Sequence, residues 1–180
     1  NVLRKSKETE GISVKGYDFN KGIDYDKILD SYGSTGFQAT HFAQAVGIIN
    51  KMIDEKATIF LGCSSNLITS GIRDIVRYLA EKRKIDVFVT TAGGIEEDII
   101  KCIGDFKIGK FSASGEMLRE SGINRTGNIL IPNLRYVEFE KFLTPIFEKI
   151  HSEQKKSGKI ISVSEFIKML GKEINNKESI

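Results

Sequence analysis

Between residues 57 and 90 the hydrophobic period of the chain switches twice, and that switch narrows the folds open to it. Ala57-Thr58-Ile59-Phe60-Leu61-Gly62 is a short apolar run ending in glycine, the pattern of a parallel strand buried on both faces. Ile68, Ile72, Ile75, Val76 and Leu79 then recur at helical spacing, to about Lys82. Ile85-Asp86-Val87-Phe88-Val89-Thr90 repeats the strand pattern, with Thr91-Ala92-Gly93-Gly94 as a turn. Two such strands joined by a helical crossover predict a parallel pair. Asn128-Ile129-Leu130-Ile131-Pro132 supplies a third run, stopped by proline. The expectation is an α/β protein in which 57–62, 86–91 and 128–132 lie parallel and adjacent. Ser65 and Gly93 then stand at neighbouring carboxyl ends. Three strands are few for a doubly wound sheet, and no strand pattern appears beyond Arg135. The sheet is expected to be incomplete in this chain.

The flanking segments read as helices. Asp24 caps a short helix over 25–29, and Gly33-Ser34-Thr35-Gly36 is a turn. Phe37, Phe42, Ala45, Val46, Ile49 and Ile53 define an amphipathic helix over 38–55. Glu96, Glu97 and Asp98 open a short helix with Ile99, Ile100 and Ile103, and one helical turn falls around 116–121. A long helix over 135–154 carries Phe139, Leu143, Phe147 and Ile150 on one face. Lys155-Lys156-Ser157-Gly158 reads as a linker, and Ser164 as the cap of a last helix over 165–174. Residues 1–16, charged and aperiodic, are expected to be a mobile arm, with 17–180 in one domain.

Composition removes several classes. Lys and Arg number 27 against 24 Asp and Glu, and the surplus of +3 does not imply nucleic acid without an RNA-binding aromatic motif. No apolar run approaches the ~20 residues needed to span a bilayer, and Asn1 to Glu10 is polar, predicting no secretory leader. Cys63 and Cys102 are too few for a disulfide framework and fit a reducing compartment, so a cytoplasmic location is expected. With His41 and His151 they lack ligand spacing, and no metal is expected.

Two strand ends are chemically rich. In Gly62-Cys63-Ser64-Ser65-Asn66-Leu67-Ile68-Thr69-Ser70-Gly71, hydroxyls and free N–H groups meet at a helix start, where the dipole favours a phosphate. A hydroxyl-capped helix accounts for the same residues equally well. In Thr90-Thr91-Ala92-Gly93-Gly94-Ile95-Glu96-Glu97-Asp98, two glycines let a ligand approach the backbone. Its three acids either complement the helix dipole or bind a cationic substrate. Three carboxylates do not also welcome a phosphate, so the two loops would divide the labour. His41, on the helix after the Gly-rich turn, is read as structural. Cys63 has nothing basic beside it in sequence to lower its pKa.

The run Thr58-Ile59-Phe60-Leu61-Gly62, with Ser65 through Arg73 and Val89 through Asp98, closely resembles deoxyhypusine synthase. So do Gly16-Tyr17-Asp18-Phe19-Asn20, Thr35-Gly36-Phe37-Gln38-Ala39-Thr40, Gly122-Ile123-Asn124-Arg125 and Gly171-Lys172-Glu173-Ile174-Asn175-Asn176. The resemblance implies a Rossmann-like parallel sheet with helices on both faces, assembled as a tetramer with active sites at subunit interfaces. It implies NAD as cofactor, used to oxidise and cleave spermidine. The aminobutyl group then passes to an enzyme lysine, and on to a lysine of the eukaryotic translation initiation factor 5A precursor. By matching motifs, Ser65, Asn66, Leu67, Ile68, Thr69, Thr91, Ala92 and Gly93 would touch NAD, and Glu96 with Glu97 would bind spermidine.

The chain departs from that family in one large respect. Family members are about twice as long, and their nucleophilic lysine lies in the second half in a Ser-Trp-Gly-Lys context. This chain has no tryptophan, so the catalytic residue is expected outside it. The leading expectation is the N-terminal part of such an enzyme, with sheet and site completed by a complementary C-terminal chain. The rival is a non-catalytic paralogue that binds and activates a full-length synthase. An unrelated NAD-binding α/β protein is the third reading, disfavoured by six blocks in the family order.

Overall fold

The computed structural model describes residues 3–180, so the first two residues of the arm expected over 1–16 lie outside it. The described residues divide into two compact units, with the boundary between Ala57 and Thr58.

In the first unit, residues 5–18 form no helix or strand. Lys15 nonetheless donates its N–H to the Ser34 carbonyl at 2.9 Å and accepts from the Ser34 hydroxyl at 2.7 Å. Helix α1 spans Tyr25–Thr35, and Asp24 caps it by accepting from the Lys27 N–H at 3.2 Å. The helix runs through residues 33–35, where a turn was expected. The Thr35 hydroxyl donates back to the Ser31 carbonyl at 2.9 Å, so its hydrogen-bonding is absorbed within the helix, while Ser34 reaches the Lys15 carbonyl. The break comes at Gly36, whose φ of 93° a side chain would strain. Helix α2 follows over Phe37–Asp54, and Tyr32 meets Phe42 edge-on at 5.7 Å between the two helices. Neither helix contains a buried residue, and Phe42, Val46, Ile49 and Ile53 on the apolar stripe of α2 are exposed.

The second unit opens with β1 (Phe60–Cys63), parallel to β2 (Val87–Thr90), in register from Phe60 opposite Val87 to Cys63 opposite Thr90. Asp86 fixes the entry, its carboxylate accepting from the Ile59 N–H at 2.8 Å. The crossover is two helices, α3 (Ser65–Thr69) and α4 (Ile72–Glu81), and β2 leads directly into α5 (Ala92–Ile103).

The third run departs from expectation. β5 (Ile129–Pro132) does not join β1 and β2; it is the centre of a separate antiparallel sheet, flanked by β3 (Lys107–Ile108) and β4 (Ile123–Thr126). The connection decides it. Only Gly127 and Asn128 separate β4 from β5, and Gly127 at φ 59° has the geometry of a two-residue hairpin turn. A parallel neighbour would need a crossover of a dozen residues or more. Between β3 and β4 lies α6 (Gly115–Glu120), capped by Ser114.

The parallel sheet therefore has two strands among the described residues, with Phe60 66% and Val89 55% exposed. An open edge of unpaired N–H and C=O groups together with bare apolar side chains invites association. Kept apart from other chains, this one is expected to aggregate or to melt without a cooperative transition. Light scattering and urea unfolding check this, and a sharp monomeric transition would refute it.

The core of this unit lies among α5, α7 (Asn133–Ser157) and α8 (Val163–Ile174), built on Ile99, Ile146, Ile150 and Leu170. Helix α7 continues through the lysines read as a linker and stops at Gly158, which takes the left-handed conformation at φ 68°. Helix α8 is capped by Ser162, not Ser164. Its hydroxyl accepts from the Glu165 N–H at 3.2 Å, and the Glu165 carboxylate accepts from the Ser162 N–H at 2.8 Å, a full capping box. Ser162→Ala should cost about 1 kcal/mol; a denaturation midpoint of the complete assembly unchanged by the substitution would show that the box carries no stability.

Candidate active site

β1 and β2 end side by side, at Cys63 and Thr90, and each is followed at once by a helix. Ser64 and Thr91, the two entry residues, are extended and make no side-chain cap bond. The first N–H groups of α3 and α5 thus have no intrahelical partner. The two loops touch. A Cβ added to Gly93 would lie 3.0 Å from the Ser65 Cβ and 3.2 Å from its hydroxyl, and one on Gly94 would lie 2.3 Å from the Thr90 hydroxyl. Ser65 and Gly93 stand where the sequence predicts, at neighbouring carboxyl ends of parallel strands. The Thr90 hydroxyl is buried there without a hydrogen-bond partner, which leaves the strand end chemically unsatisfied.

The expected cofactor residues separate by exposure. Asn66, Leu67, Thr91 and Ala92 are exposed, and Ser65 and Gly93 are half-buried. Ile68 and Thr69 are buried, so within this chain their side chains support the loop instead of facing a ligand. α3 is a single five-residue turn, so the phosphate-attracting dipole inferred for it is small.

The three acids do not lie in the first turn of their helix. α5 begins at Ala92, because the glycines read as a turn are already helical, and this moves Glu96, Glu97 and Asp98 beyond the reach of the dipole. Their roles diverge. Asp98 is buried and accepts from Arg73 Nε at 2.8 Å, the Ser179 hydroxyl at 2.5 Å and the Ile180 N–H at 3.1 Å. It is a structural anion. Glu97 is half-buried, and its Oε2 has no partner. Burial first, then the charge of Glu96, push its carboxyl above the usual range, while the Thr69 hydroxyl and Lys101 oppose the rise. Two half-buried carboxylates, one of them under-satisfied, form a site suited to a polyvalent cation.

Sequence reasoning missed three neighbours. Tyr136, in the first turn of α7, has its phenol pushed up by burial and then by Glu97 and Glu96. Arg73 pairs with Asp98, and its Nη2 also lies 3.0 Å from Cys102 Sγ and 3.4 Å from the Asp98 carbonyl. Lys101 donates to three carbonyls at the end of α3. Their signal was positional: Arg73 lies three residues before buried Val76, and Asp98 directly precedes buried Ile99 and Ile100. His41 is exposed, with Nδ1 3.1 Å from Gln38 Oε1, and Cys63 is half-buried at the end of β1.

A family model for deoxyhypusine synthase matches residues 27–180. The deoxyhypusine synthase of Senecio vernalis is 45% identical over 99% of this chain and 55% of its own length. Homospermidine synthase 2 of the same plant is also 45% identical, over 99% of this chain and 55% of its own. A crystal structure assigned to deoxyhypusine synthase from Entamoeba histolytica shares the fold at a TM-score of 0.64 and 33% identity, covering 92% of this chain and 58% of that one. The chain spans about half the length of the curated relatives it matches.

Proposed function

The chain belongs to the deoxyhypusine synthase family, and from that premise we propose that it is the N-terminal part of a deoxyhypusine synthase, active only with a complementary chain. The reaction would move the aminobutyl group of spermidine to a lysine of the translation initiation factor 5A precursor, in the cytoplasm and within a tetramer-like assembly. The observation that carries this reading is the juxtaposition of Ser65 with Gly93 at the sheet end, on the helix that bears Glu96 and the under-satisfied Glu97.

NAD fits the donor set. The glycine at 93 lets the Ser65 loop pack directly against the start of α5, bringing the two loops together, and the orphaned Thr90 hydroxyl offers a buried polar contact. Ser65, Asn66, Leu67, Thr91, Ala92 and Gly93 would hold it, with Ile68 and Thr69 supporting the loop from beneath. When bound, NAD supplies an acceptor for hydride from the polyamine. Glu96 and Glu97 would fix the ammonium groups of spermidine and set the register of its chain against the cofactor. The nucleophilic lysine, and the rest of the pocket, would come from the complementary chain, which would also cover the open edge of β1 and β2. In this reading 17–180 is one part of a larger NAD-binding domain.

The equal identity to a deoxyhypusine synthase and a homospermidine synthase of one plant means that overall similarity in this half does not fix the acceptor. Intact-mass analysis of the tagged chain purified from its own cells tests the proposal. A second polypeptide of complementary length carrying Trp-Gly-Lys, with spermidine- and NAD-dependent labelling of the factor 5A precursor, is the expected result. Recovery of a full-length synthase instead would favour the activating paralogue.

A further inference from the structure

A five-residue helix has no stability of its own, because nucleation alone exceeds what one turn of hydrogen bonds returns. α3 is held in place from outside, and the group that holds its end is Lys101. The Lys101 ammonium donates to the carbonyls of Ile68 at 3.3 Å, Thr69 at 3.1 Å and Ser70 at 2.9 Å, using all three of its protons. These are carbonyls that the helix terminus leaves without partners. The Phe106 ring lies 5.9 Å from the same nitrogen, and burial, then Arg73, push the Lys101 pKa down. Lys101 stands one helical turn after Glu97 on α5, so the residue that clamps α3 shares a face with the acid.

We infer that Lys101 is a positioning residue that couples the cofactor loop to the polyamine acids. The inference rests on the proposed function and deepens it. α3 meets α5 at both ends: Ser65 packs on Gly93, and Lys101 ties residues 68–70 beside Glu97. A polyamine that draws Glu97 into a fixed position therefore fixes α3, and a nucleotide seated on α3 fixes the acids. The rigidity gained from one ligand lowers the ordering cost of the other.

The test uses the complete assembly and begins with the wild type. Failure of the wild type to bind NAD or spermidine would defeat the proposed function, and this inference with it. Given binding, the spermidine KM should fall at least fivefold between low and saturating NAD. Lys101→Gln should abolish that dependence and raise the NAD Kd roughly tenfold, whereas Lys101→Arg should restore most of both. A Lys101→Gln enzyme with a lowered melting temperature but intact coupling would overturn the inference while leaving the function standing. Should Lys101→Gln fail to fold, hydrogen exchange in the wild type decides. Spermidine alone should slow exchange of amides 65–71, and protection confined to α5 would overturn the inference.

Discussion

Replacing Glu97 by glutamine in the complete assembly should raise the spermidine KM by roughly ten- to a hundredfold, or abolish turnover, with NAD affinity nearly unchanged. The magnitude is that of one charge-assisted hydrogen bond to an ammonium, about 1.5–3 kcal/mol. Spermidine carries about three charges near neutrality, since amine pKa values lie around 10. The same substitution separates binding from stability. A carboxyl whose folded pKa lies above its unfolded value binds more protons folded than unfolded. It therefore lowers stability as pH rises from the ordinary glutamate range through the raised folded value. Glutamine has no charge to desolvate, so the variant should melt at or above the wild-type temperature at neutral pH, and the advantage should vanish below pH ~4. A charge serving only the helix dipole would behave oppositely, with normal spermidine kinetics and a small loss of stability. Steady-state kinetics and melting curves from pH 4 to 8 distinguish the two, and wild-type spermidine kinetics would remove Glu97 from the site.

That prediction owes its sharpness to a detail the sequence hid. Gly93 and Gly94 read as a turn, because glycine disfavours helix interiors by ~1 kcal/mol relative to alanine. They lie inside the helix all the same, and the Ser65 and Thr90 side chains leave no room for a Cβ at either position, so close packing requires glycine there. Packing outweighed propensity, and the displacement carried the acids out of the first turn. The parallel pair, by contrast, was legible, since runs 57–62 and 85–90 are short and mostly apolar and are separated by a helical stripe. The run at 129–132 is just as apolar, but apolarity does not encode strand direction. The two-residue turn at Gly127-Asn128 does, and β4 went unrecognised because Asn124 and Arg125 interrupt its pattern. The cap of α8 shifted from Ser164 to Ser162 because Glu165 pairs three residues back. Asp98 illustrates the limit most clearly. Three adjacent acids are indistinguishable in sequence, and only the partners arriving from residues 73 and 179–180 make one of them structural.

Those partners should make loss of the Asp98 carboxylate severely destabilising to the second unit. The Arg73 and Asp98 side chains are 5% and 10% exposed, so their ion pair is screened little by solvent. Removing one member of a buried pair leaves the other desolvated and uncompensated, at ~3–5 kcal/mol. The two removals are not equivalent. Arg73→Leu leaves Asp98 its bonds from the Ser179 hydroxyl and the Ile180 N–H, so the loss should fall at the low end of that range. Asp98→Leu leaves the guanidinium with only the Asp98 carbonyl at 3.4 Å and Cys102 Sγ at 3.0 Å as close buried partners. It also frees residues 179–180, whose side-chain and backbone donors it strands. Its cost should reach the upper end, a large fraction of a domain's 5–15 kcal/mol. The Arg73→Leu, Asp98→Leu double variant should recover most of that loss, because no unpaired charge then remains buried. Denaturant midpoints of the complete assembly measure the cycle, and limited proteolysis after Asn175 reports whether the terminal segment has come loose. Equal, additive losses from the two single variants would mean that Arg73 and Asp98 act independently, and that the pair does not join α4 to α5.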